Sequence, residues 1–144
     1  MSSQNPLGFM LNLGRNASGG TNRARMGEPA SSILFVVDTP GNASTLTITE
    51  ATASTGGTSQ ALASGIQQYW SQTSGVWTLV TTGISNAVIT VSGTPDQIAV
   101  WVNQGALSDG FSYIQGVHSA KATTYVLSPL NVQRRPTNLV NVYS

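Results

Sequence analysis

The sequence predicts an all-β domain, an antiparallel β-sandwich of jelly-roll or Greek-key type preceded by an extended N-terminal arm. Three observations predict it. Short β-prone runs recur from residue 31 onward at spacings near the 8–12 residues of sandwiches and barrels. Clusters of Gly, Pro, Asn and Asp separate those runs, as turns require. No apolar pattern of helical period lasts ten residues, and no fixed-period repeat marks a solenoid or propeller. With 144 residues the chain fits a single domain able to bury a core.

Residues 1–30 read as the arm. Pro6, Gly8, Gly14, Gly19, Gly20, Gly27 and Pro29 punctuate them, and apolar residues gather only at Leu7, Phe9, Met10, Leu11 and Leu13. Neither a helical nor a strand period continues past that patch, so the patch is expected to be received by a partner surface. Residues 31–144 read as the sandwich. Ile33-Leu34-Phe35-Val36-Val37 is a continuous apolar run, read as a buried strand, and Asp38-Thr39-Pro40-Gly41-Asn42 ends it in a turn. Thr45 to Glu50 alternates, with Leu46 and Ile48 on one face and Thr45, Thr47 and Thr49 on the other, the mark of a half-buried strand. Residues 51–65 are small and polar and read as a loop or short helical turn. Ile66 to Trp70 and Val76 to Thr82 flank Ser74-Gly75 as a hairpin.

Further along, Ala87 to Ser92 is a strand with Ile89 and Val91 opposite Val88. Gln97 to Asn103 sets Ile98, Val100 and Val102 against Ala99 and Trp101. Phe111 to His118, Ala122 to Ser128 and Leu139 to Tyr143 complete a count of about eight or nine strands. Pro129 and Pro136 are expected to break up the tail.

Charged residues make up only 8% of the chain, against about a quarter in ordinary soluble proteins. The polar surface must therefore come from Thr, Ser, Asn, Gln and Gly, and little repulsion keeps copies apart. The net charge of +1 is unevenly spread. Arg15, Arg23 and Arg25 face one acid, Glu28, in the first thirty residues. Asp38, Glu50, Asp96 and Asp109 share the middle with no base, and Lys121, Arg134 and Arg135 close the chain. So few cations fall short of a phosphate-neutralising patch, so nucleic-acid binding is not expected. The absence of Cys excludes disulfides, thiol catalysis and Cys-based metal sites. No apolar run approaches a membrane span, and no secretion signal is read at the start. The sequons at Asn16 and Asn42 are matches of the kind chance supplies in an Asn/Ser/Thr-rich chain.

Chemistry-bearing motifs are sparse, and neither an enzyme nor a cofactor is expected. His118 is the sole histidine, and the five acids are scattered singly without metal-ligand spacing. A Ser–His–Asp arrangement of His118 with Asp109 has no nucleophile-elbow sequence to support it, and the plainer reading is a surface histidine at a strand end. Asp38, Asp96 and Asp109 sit in turn sequences, where Asp bonds nearby backbone, and Glu50 ends a strand. The aromatics Tyr69, Trp70, Trp77, Trp101, Phe111 and Tyr113 lie in strand runs. There they read as core and subunit-interface packing, with a sugar-stacking platform as the alternative.

One stretch resembles a known group. Leu46-Thr47-Ile48-Thr49-Glu50-Ala51-Thr52 is followed by Gly56-Gly57-Thr58-Ser59-Gln60-Ala61-Leu62, Tyr69-Trp70, Asp109-Gly110-Phe111-Ser112-Tyr113, Tyr125-Val126-Leu127-Ser128 and Arg134-Arg135. This series resembles small tailed-phage virion proteins encoded near the major capsid gene. Those read as an "ITLxQAT" strand, a "GTGxKAL" loop, "NGFDYVR" and a closing "YILSGxRY". The likeness spans residues 45–135. Gln60 replaces the loop Lys, and Pro129-Leu130-Asn131 are inserted where the family closes on Gly.

The resemblance implies a capsid decoration or cement protein on the virion surface, made in the host cytoplasm. Its partners would be the major capsid protein and copies of itself, and a trimer suits local three-fold axes. On this reading the arm residues Leu7, Phe9, Met10, Leu11, Leu13, Arg15, Arg23 and Arg25 contact the partner. A tail or head–tail connector component and a carbohydrate-binding or adhesin module are the competing expectations.

Overall fold

A computed structural model describes residues 13–26, 30–39 and 41–130. The longer strands are rich in β-branched and aromatic residues, and some stop at residues that adopt positive φ. Ser74 (φ 51°) and Gly75 (φ 81°) supply the two left-handed residues of a tight hairpin turn. The twelve strands of the described residues are β1 (Leu13–Asn16), β2 (Ala24–Arg25), β3 (Ala30–Asp38), β4 (Ser44–Ala51), β5 (Ser59–Ala61) and β6 (Tyr69–Thr73), followed by β7 (Val76–Val80), β8 (Ile84–Ser85), β9 (Val88–Val91), β10 (Gln97–Asn103), β11 (Tyr113–His118) and β12 (Thr123–Leu130). The one helical element among these residues is a 3₁₀ turn, Gln104–Ala106.

The strands build two antiparallel sheets packed face to face. Sheet A runs β1-β12-β3-β10-β6-β7; sheet B runs β2-β11-β4-β9-β8, with β5 added to β4. This is the β-sandwich that the alternation predicts. Most connections cross between the sheets, so the core is closed by non-local pairings. Ile33, Phe35, Val37, Ile98, Val100 and Val102 point inward from sheet A and meet Leu46, Ile48, Ile89, Val91 and Ile114 from sheet B. Fully burying each such side chain contributes about 1.5–3 kcal/mol. The expected alternations of β4 and β10 are present, with Ala99 buried as well: Leu46, Ile48, Ile98 and Val100 are buried, while Thr45, Thr47 and Trp101 face outward.

Phe35 and Tyr125 meet edge to face, with ring centroids 6.3 Å apart. Two glycines make room for them. A Cβ on Gly116 would stand 2.7 Å from the Phe35 ring, and one on Gly14 would overlap the Tyr125 ring.

Several expectations are corrected. The arm boundary at residue 30 does not hold, because residues 13–26 are built into the body. β1 pairs with β12 in sheet A, β2 pairs with β11 in sheet B, and Ala24 and Met26 lie in the core. Asn16 holds this crossing: its amide donates to Gly116 O at 3.0 Å and Gly20 O at 3.3 Å, and its oxygen accepts from Asn22 N at 3.1 Å. At 1% exposure, Asn16 offers no accessible sequon. The run 33–37 is buried on one face only, since Leu34 and Val36 are half-exposed on the outer face of sheet A. β12 continues through Pro129 to Leu130. Pro129 therefore does not interrupt the strand, which stays paired with β3 up to Leu130 opposite Ala30. The expected strand Leu139 to Tyr143 lies outside the described residues.

Candidate interaction face

The two outer faces of the sandwich differ in kind. Sheet B presents Thr45, Thr47, Thr49, Thr90 and Gln115, and its side chains bond within the face. Thr49 Oγ1 lies 3.4 Å from Gln115 Oε1, and Gln115 Nε2 donates to Gly20 O at 2.7 Å. Sheet A presents an apolar surface. Directly opposed residues in an antiparallel ladder share a face, so the registers lay out three rows across it. One row runs Val126, Leu34, Trp101. The next runs Arg15, Thr124, Val36, Ala99, Trp70, Leu79. The third is Asp38, Gln97, Gln72, Trp77. Polar side chains in this third row are tied together, Gln72 Nε2 donating to Gln97 Oε1 at 3.3 Å and Gln97 Nε2 to Asp38 Oδ1 at 2.7 Å.

Trp70, Trp77, Leu79 and Trp101 are 42–57% exposed on this face. Of the expected core and subunit-interface packing, the core part does not hold for these tryptophans; among the named aromatics only Tyr69 is buried there. Phe111 and Tyr113 are half-buried. The physical reason is that both faces of sheet A carry apolar residues, so alternation alone does not say which face meets sheet B.

At the Trp101 end the sheet opens. The β10–β6 ladder stops at Ala99 opposite Trp70. Beyond it, β10 and the segment 65–68 part around a cavity of about 240 Å³ lined by Ile66, Gln67, Gln68, Trp101, Val102 and Asn103 among others.

The sequence-predicted contact residues are scattered. Arg15 is exposed on the outer face of sheet A, at the β1 edge. Arg23 is occupied: its Nη1 donates to Ala53 O at 2.7 Å and Gly56 O at 2.8 Å, fastening the loop before β5. Arg25 lies exposed on β2, opposite Tyr113 in sheet B. The three arginines thus do not form one patch. Leu13 opens β1, while Leu7, Phe9, Met10 and Leu11 lie outside the described residues.

His118 is a buried residue, contrary to the surface position expected of it. Its Nδ1 accepts from Ala120 N at 3.2 Å and Lys121 N at 2.9 Å, so the neutral ring carries its proton on Nε2, 3.0 Å from Ser44 Oγ. A triad would need Nδ1–H aimed at a carboxylate; here that atom closes the turn into β12. Burial, and next the charge of Lys121, lower the His118 pKa.

Glu50, a mere strand end by sequence, is the most connected side chain among the described acids. It is buried at the mouth of the sandwich, and its oxygens accept from Gln60 Nε2 (2.6 Å), Ser108 Oγ (2.7 Å), Ser108 N (2.8 Å) and Ala63 N (3.4 Å). Burial pushes its pKa up, but the bonds from Gln60, Ser108 and Ala63 outweigh this and hold it below the usual value. Asp96 Oδ2 accepts from Ser74 N at 2.9 Å and so steadies the β6–β7 turn. Among the described residues no three His, Asp or Glu side chains converge as metal ligands.

Comparison with protein-family models, curated proteins and solved structures returns no match.

Proposed function

We propose that the protein is a non-enzymatic virion structural protein, a capsid decoration (cement) protein that binds the outer shell and stabilises capsomer contacts. The single observation that carries this reading is the apolar outer face of sheet A, where Trp70, Trp77 and Leu79 stand together on the β6–β7 side. Large exposed apolar patches mark interaction surfaces. Aromatic anchors of this type dominate the energetics of such contacts.

The charge-poor surface supports the same reading, since a chain with 8% charged residues has little electrostatic barrier to close packing. Area removed from water contributes roughly 25 cal/mol per Å² before the costs of association. Repetition over a symmetric shell turns modest single contacts into firm retention. Residues 13–26 are committed to the two sheets and so belong to the body of the domain.

Co-sedimentation of the purified protein with undecorated shells tests the proposal, with solution mass measured in parallel. The expected result is saturation at a fixed ratio to the major capsid subunit. Trp77→Ser combined with Leu79→Ser should weaken it at least tenfold while the far-UV spectrum is unchanged. No binding, together with a discrete ring-sized oligomer in solution, would replace decoration by a tail or connector role.

A further inference from the structure

The cavity at the Trp101 end points to a second binding property. We propose that it is a glycan subsite, taking one neutral pyranose unit of an oligosaccharide with Trp101 as the stacking platform.

The lining has the two parts that such a ligand needs. A pyranose ring has an apolar C–H face and a rim of hydroxyl groups, so it is bound by an aromatic surface with amides beside it. Trp101 is 57% exposed and stands on the same outer face as Asn103, two residues along β10. Gln67 and Gln68 approach from the other wall, and Ile66 and Val102 are buried behind them. Each amide offers both a donor and an acceptor, the complement of adjacent hydroxyls.

These amides are also free. Gln60, Gln72, Gln97 and Gln115 all spend their side chains on intramolecular hydrogen bonds. The side chains of Gln67, Gln68 and Asn103 make none within the described chain, and all three are exposed. No lining residue is charged, which selects a neutral sugar over a sialylated or uronic one. The volume of about 240 Å³ lies below the roughly 300–1,000 Å³ of sites for drug-sized ligands, so the open cleft has room for one ring and the rest of the chain would lie outside. Where β6 would have continued the sheet beside Trp101, the ladder has ended, and that interruption creates the space.

This site is distinct from the proposed shell contact, which is centred on the β6–β7 hairpin, and its test is kept separate. The intact protein is titrated with maltohexaose, cellohexaose, chitohexaose and a β-galactan hexasaccharide, with sialyllactose and tri-galacturonate as charged controls. Tryptophan fluorescence and ¹H–¹⁵N NMR report binding. The expected result is saturable binding of at least one neutral hexasaccharide, with amide shifts confined to 65–68 and 101–106.

Trp101→Ala should weaken that binding at least tenfold, and Gln68→Ala or Asn103→Ala about three- to tenfold, as expected when a hydrogen-bonding or stacking partner is lost. Shell co-sedimentation by Gln68→Ala should be unchanged. Trp77→Ala should leave sugar binding unchanged. Failure of all four neutral sugars to saturate at 10 mM, preference for the charged controls, or undiminished binding by Trp101→Ala would each overturn the proposal.

Discussion

Replacing Glu50 by Gln should expose how much of the sandwich mouth depends on one carboxylate. Glu50 leaves β4 beneath three separate segments, and its oxygens take four hydrogen bonds, from β5 through Gln60, from the following loop through Ala63, and from the turn after β10 through Ser108. A glutamine has the same shape but only one accepting oxygen. If its NH₂ takes the place of Oε2, it opposes the backbone N–H of Ser108; in the other orientation it opposes Gln60 and the hydroxyl of Ser108 must turn. At least one buried donor loses its partner, which costs about 1–3 kcal/mol. The remaining bonds lose their charge assistance as well. A total of about 2–4 kcal/mol follows, equivalent to roughly 6–14 °C in Tm for a chain of this size.

The pH dependence has a definite sign. Because the folded pKa of Glu50 is lowered, its stabilisation is fully present above the unfolded value near 4.5 and is lost as pH falls through the folded value. Urea unfolding followed by far-UV circular dichroism should show wild type well above Glu50→Gln at pH 7, with the gap narrowing below pH 4.5. A variant within about 0.5 kcal/mol of wild type at pH 7, the range of an ordinary surface change, would refute the account of the network. So would an equal gap at pH 7 and pH 3.

Two further outcomes follow from the same geometry. His118 is buried with Nδ1 accepting two backbone N–H groups, and its lowered pKa means that the unfolded chain binds the proton more readily. Stability should therefore fall as pH drops below 6.5, by at most about 1.4 kcal/mol per pH unit for one proton, and His118→Gln should flatten this limb in urea midpoints at pH 7, 6 and 5. A wild-type curve flat across that range would contradict the buried neutral ring. Deleting residues 1–26 should abolish cooperative unfolding, because it removes β1, β2, Asn16 and the buried Met26. Met26→Ala alone should cost about 2–5 kcal/mol, and a truncated chain with a wild-type melting profile would show that residues 13–26 are dispensable.

The sequence by itself determined the strand content, because period-two alternation is a local property that backbone geometry enforces. It placed β4 and β10 with their opposed faces correctly divided, and Ser74-Gly75 marked the one hairpin whose turn chemistry is explicit. It also fixed the scarcity of charge, since composition needs no fold to be read. Four short strands escaped it. β1, β2, β5 and β8 have 2–4 residues each, too few for a period to register, and they exist only because longer strands offer them ladder partners.

Only tertiary structure decided the rest. Alternation put Trp101 opposite Val100 but could not say which side would meet sheet B, because apolar residues occupy both faces of sheet A. Glu50 and His118 gained their roles from segments distant in sequence, Ser108 and Ser44 among them, and no local pattern foretells such a meeting. Burial and hydrogen bonding are properties of surroundings. The chain supplies the residues, and the packing of one sheet on another settles which become core, which become buried anchors, and which remain as an open face.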